Sequence, residues 1–128
     1  MTEILRALKI VLLVELAVFV LFGIFFTFLV DIYIAWFNWP SGDPTSIRFV
    51  GVIYLSLAFV TFLVYREKEW RRIEYFIILN ILIQILGAIV QIIGVFLDGT
   101  GWAGGLNFGI QIVFFLALLY FYIQQYRQ

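Results

Sequence analysis

The chain has no cysteine and no histidine, and its only methionine is Met1. Disulfides, thiol redox chemistry, Cys/His zinc sites and His- or Met-ligated haem are therefore not to be expected from its own side chains. A Ser-His-Asp or Cys-His nucleophile is excluded for the same reason. Charge is equally scarce: 8 basic and 8 acidic residues cancel, leaving no field for nucleic acid, and no Gly-rich phosphate loop is present. No cofactor is expected, and most enzyme classes lose their chemistry.

Apolar sequence fills the space instead. Hydrophobic residues make up 65% of the chain and its mean hydropathy is +1.10, against roughly 45–50% apolar residues in soluble domains. A helix crossing the hydrocarbon needs about 20 mostly apolar residues. Four such stretches are read as spans, near Ile10–Val30, Ile47–Tyr65, Ile73–Leu97 and Ala103–Ile123. The runs are continuous and do not alternate, which selects helices over a barrel. The expected fold is one all-α transmembrane domain, a four-helix bundle covering residues 1–128. The first span is too long and lacks the small-residue cleavage site of a signal peptide, so it reads as a retained anchor.

Punctuation between the spans is clear. Ile32 to Trp39 is aromatic-rich and suits a membrane interface, and Pro40-Ser41-Gly42-Asp43-Pro44 breaks the helix. Asp43 is expected to cap the next helix and Pro44 to occupy its first turn. Asp98-Gly99-Thr100-Gly101 reads as a tight turn. Phe28-Leu29-Val30-Asp31 is loosely echoed by Phe96-Leu97-Asp98, which suggests two parallel hairpins.

Basic residues orient the bundle. Arg6, Lys9, Arg66, Lys68, Arg71, Arg72 and Arg127 fall on one side and only Arg48 on the other, with Asp31, Asp43 and Asp98. The positive-inside tendency then puts both termini in the cytoplasm of a plasma (inner) membrane protein. The middle segment from Arg66 to Glu74 is read as a solvated hairpin supported by a Glu67–Arg71 pair, with a docking or anionic-lipid surface as the alternative.

Inside the membrane the informative residues are polar. Asn80, Gln84, Gly87, Gln91 and Gly94 recur at helical spacing and share one face. Amides gain nothing from facing lipid, so this face should meet protein or a cavity. Asn107 and Gln111 share a face of the fourth span at the depth of Gln91, which predicts amide contacts between the last two helices. Glu15 is the one carboxylate well inside a span, about 7 Å into the hydrocarbon at the 1.5 Å helical rise and level with Asn80 and Gln84. It could serve as a neutral hydrogen-bond donor, carry protons or hold a cationic ligand. Arg48 is expected to pair with Asp31, Asp43 or Asp98, or to bind lipid phosphate or an acidic ligand. Gly101, Gly105 and Gly109 form small-xxx-small steps that predict helix packing, within the chain first and between copies second.

Two families share features with this pattern. Arg48-x-x-Gly51-x-x-Tyr54-Leu55, the basic middle loop, and Trp102 with Asn107 opening the last helix resemble the DoxX-like small four-helix membrane proteins. That resemblance implies an accessory or subunit role. In length, helix number and the glutamate of its first helix the chain is also similar to small multidrug transporters, though its strong charge bias argues against their antiparallel pairing. The leading expectation is a non-enzymatic membrane subunit or small lipid- or ligand-binding module. Its candidate residues are Glu15, Arg48, Asn80, Gln84, Gln91, Asn107 and Gln111. Its expected partners are membrane lipids, other membrane subunits or a second copy. The alternative is a proton-coupled transporter or channel protomer using Glu15. A lipid-acting enzyme with Asp31, Asp98 and Arg48 at an outer site comes third.

Overall fold

Wherever the apolar runs predict spans, the computed structural model has helices. It describes residues 3–40 and 44–127. Four helices are long and apolar enough to cross a membrane: α1 Arg6–Phe28, α3 Pro44–Arg66, α4 Trp70–Ile93 continued by a π-helical turn to Asp98, and α5 Gly101–Tyr126. The protein is thus an all-α, multi-pass membrane protein. Each helix overruns its expected ends by a few residues except α1, which stops early at Leu29 (φ −118°, ψ 33°). The aromatic interfacial segment is itself a short helix, α2 Val30–Phe37, closed by Asn38 in the left-handed region (φ 49°). Pro44 opens α3 as expected; the cap assigned to Asp43 lies outside the described residues.

The helices pack as two antiparallel hairpins, α1 on α3 and α4 on α5, with α1 also meeting α5. A Cβ at Gly51 would lie 2.6 Å from the backbone nitrogen of Thr27, and one at Gly23 would lie 2.7 Å from Leu55 Cδ2. The first hairpin therefore closes to backbone contact, which only glycine permits there. In the second hairpin Gly87 makes room for a side chain, lying beneath Gln111. The turn between α4 and α5 needs Gly99 (φ 70°) and Gly101 (φ 63°).

This arrangement corrects the packing expected of Gly101, Gly105 and Gly109 within the chain. Gly101 serves the turn, while Gly105 and Gly109 are exposed with nothing within 4 Å of a built Cβ. The helix spacing was read correctly, but the stripe faces away from the bundle.

Both chain ends meet at the basic end of the bundle. Gln125, 1% exposed, accepts from the Leu5 N–H at 2.7 Å and donates to the Glu3 carbonyl at 2.8 Å. Glu3 also bridges to Glu69. Beneath this layer Ile4, Leu8, Leu12, Val64, Trp70, Ile73, Ile77 and Leu118 form a dry apolar core. The expected Glu67–Arg71 pair is replaced by Arg72, which reaches Glu67 at 3.7 Å and Glu69 at 3.2 Å. Glu67 lies in the break between α3 and α4, so helical i,i+4 geometry does not extend to it. The Lys68 N–H at 3.0 Å, and then Arg72, hold the Glu67 carboxyl below the usual carboxylate range.

Candidate functional site

Just past the apolar core, Glu15 sits fully buried on the inner face of α1. Helical periodicity brings Asn80 and Gln84 onto the facing stripe of α4, both 3% exposed. Asn80 Nδ2 donates to one carboxyl oxygen and Gln84 Nε2 donates to the other at 2.9 Å. Gln84 Nε2 also lies 3.4 Å from Asn80 Oδ1, tying the two amides together. Glu15 accepts in both bonds. No Lys or Arg pairs with it among the described residues. Thr61 is fully buried and its Oγ1 has no hydrogen-bond partner. Continuing the register set by Gly23 and Leu55 puts Thr61 level with Ala17, about 3 Å in depth from Glu15.

Gln84 has a second role: it lines a cavity of about 30 Å³ between α1, α3, α4 and α5. The wall is mostly aromatic and aliphatic, with Phe19, Phe22, Phe26, Ile83 and Phe114, and its polar groups are Gln84, Tyr54, Asn107 and Gln111. That volume holds on the order of two water molecules. Half-buried Gln111 packs its amide against Gly87, and its buried Oε1 has no partner. A group left this way in a protein interior costs about 1–3 kcal/mol.

Aromatic rings close the acidic end. Tyr54 leads to Phe26 (5.7 Å between centroids), Phe26 to Tyr33 (4.6 Å), Tyr33 to Phe37 (4.8 Å) and Phe37 to Trp102 (5.1 Å). Asn107 donates to the Tyr33 hydroxyl at 3.3 Å. The site is therefore bounded by the apolar core towards the basic end and by a run of aromatic ring contacts towards the acidic end.

The candidate residues sort cleanly. Glu15, Asn80 and Gln84 converge, and Gln84, Asn107 and Gln111 share the cavity. Gln91 is half-buried but forms no hydrogen bond among the described residues. The predicted amide pairing of the last two helices is not formed, because Asn107 turns to Tyr33 and Gln111 lies over Gly87. Arg48 is exposed, and among the described residues no ion pair joins it to Asp31 or Asp98. Tyr33 and Tyr54 were missed, since one more aromatic in such a chain carries no signal of inward orientation. Gln125 was missed because a polar residue near a helix end reads as solvated.

No protein family matches the chain, and neither curated proteins nor solved structures show a match.

Proposed function

We propose that this protein is a non-enzymatic binding module of the plasma membrane, with both termini cytoplasmic, that holds a small ligand at its intramembrane polar core. One observation carries the reading: a fully buried carboxyl, gripped by two amides and without a cationic partner among the described residues, adjoins a small cavity that one of those amides lines. A bundle that needed only cohesion would not require it, since interhelical hydrogen bonds in membranes average about 0.6 kcal/mol. Ionisable groups in mid-membrane mark functional sites by default. The seals at both ends favour a binding site over an open channel.

The test is native mass spectrometry after mild extraction from the source membrane. A retained small molecule that is lost in Gln84→Leu supports the reading. Co-purification with other chains at fixed stoichiometry, with no bound molecule, overturns it in favour of a subunit. A pH-driven flux in proteoliposomes that Glu15→Gln abolishes overturns it in favour of a transporter. Reporter fusions at the C-terminus check the orientation.

A further inference from the structure

Two arginines from opposite ends of the chain line one groove. Arg6 opens α1 and Arg127 follows the last residue of α5. Both are exposed, and both border an open groove of about 580 Å³ on the α1–α5 seam, at the basic end of the bundle. Half-buried Gln124 adds an amide, while Leu5, Tyr120 and Phe121 supply a largely apolar floor. From Arg127 to Tyr120 the groove descends about 10 Å along α5, seven residues at the helical rise. Gln125 holds the arginines together, because its bonds to Glu3 and Leu5 fix the segment that carries Arg6 to the helix that leads to Arg127. Neither guanidinium has an ion pair among the described residues. The acids of this end are engaged elsewhere. Arg72 holds Glu67 and Glu69, Tyr122 donates to Glu74, and Glu3 lines a separate pocket with Lys9 and Lys68.

We infer that this groove binds one anionic phospholipid, its phosphate held between Arg6 and Arg127 and the start of its acyl chains laid over Tyr120 and Phe121. The site is separate from the polar core and stands whatever that core binds. A guanidinium matches phosphate in geometry as well as charge, since its N–H groups donate in pairs to two oxygens. Two of them with no carboxylate between call for a net negative group rich in acceptor oxygens, and a zwitterionic headgroup would bring an ammonium against them. The floor selects an amphipath over free phosphate. Going inward, the groove passes from charge to aromatic and aliphatic surface, the order in which a phospholipid passes from headgroup to chain. Exposed Val113 and Leu116, on the same stripe of α5 as Tyr120, carry that apolar surface on into the bilayer. A second copy in the same orientation would offer Glu67, Glu69 or Glu74 at this level, and all three are already bonded.

The test is native mass spectrometry of the full chain in detergent, titrated with dioleoyl phosphatidylglycerol and, separately, with dioleoyl phosphatidylcholine. The first phosphatidylglycerol should be retained about ten-fold more strongly than phosphatidylcholine, and Arg6→Gln and Arg127→Gln should each weaken it about five-fold. Arg71→Gln removes the same charge from the same end but outside the groove, and should change retention by less than about two-fold. All three side chains are exposed, and unchanged thermal unfolding identifies each variant as folded. Equal retention of the two lipids, or equal weakening by Arg71→Gln, would overturn the site. Competition by glycerol 3-phosphate would overturn the lipid in favour of a free phosphate. Loss of phosphatidylglycerol in Gln84→Leu, with full retention in both groove variants, would move the lipid to the polar core and overturn this groove.

Discussion

Gln84 Nε2 donates to Glu15 Oε2 at 2.9 Å across the α1–α4 interface, between residues 69 positions apart, and the same side chain lines the cavity. One amide thus fixes the buried carboxyl and forms the cavity wall beside it. Both partners are buried, Glu15 at 0% and Gln84 at 3% exposed.

That dependence makes the two partners unequal under substitution. Gln84→Leu leaves a buried carboxyl oxygen without its donor and should destabilise the fold by about 1–3 kcal/mol. Glu15→Gln preserves shape and an acceptor for one amide, so its loss should stay below about 1 kcal/mol. Glu15→Leu combined with Gln84→Leu should be less harmful than the sum of the single changes. Thermal unfolding in detergent of the singles and the double reads all three; strict additivity would show that the bond is not coupled.

Glycines separate by the face they occupy. Gly51→Ala forces a Cβ against the Thr27 backbone and should cost about 1–3 kcal/mol by overpacking. Gly105→Ala meets open space and should change stability by no more than about 0.5 kcal/mol. Melting temperatures of the two variants, side by side, check the helix rotation as well as the contact.

At the basic end, Gln125 bonds two backbone groups of the N-terminal segment. Gln125→Leu keeps bulk but removes both bonds, and the Leu5 amide should then exchange with solvent about ten-fold faster. Amides in the middle of α1 serve as the internal control. Equal acceleration throughout α1 would mean that the residue supports the whole bundle and does not act locally.

The loop carboxyl of Glu67 should titrate below its ordinary value of 4.5. A depressed folded value contributes stability above the unfolded value, and this is lost as pH falls through the folded one. The Lys68 N–H is the larger cause and Arg72 the smaller, so Arg72→Gln should return only the lesser part of the shift. NMR titration of the side-chain carbonyl carbon measures it. A full return to 4.5 would reverse the ranking.

How much of this was legible follows from the kind of signal involved. Asn80 and Gln84 were readable as one face because helical periodicity is local, and Glu15 was readable at their depth because the rise per residue is fixed. Which neighbour each amide chose was not. Asn107 took Tyr33 in place of Gln91, and Gln111 lay on Gly87. These choices depend on the axial rotation and register of helices far apart in sequence. Spacing within a single helix does not constrain either quantity.

The sequence by itself determined a membrane protein of four apolar helices, the turns between them, and a polar stripe that had to face inward. Those properties follow from hydrocarbon thickness, backbone satisfaction and periodicity, which act on each segment separately. Tertiary structure alone decided that Gly51 would close the first hairpin and Gly87 lie beneath Gln111, while Gly105 and Gly109 faced away from the bundle, and that a small cavity lined by Gln84 would remain beside Glu15. The physical reason is that helix–helix packing in lipid is governed by close shape fit between surfaces that are all comparably apolar, and shape fit is settled only when the helices meet.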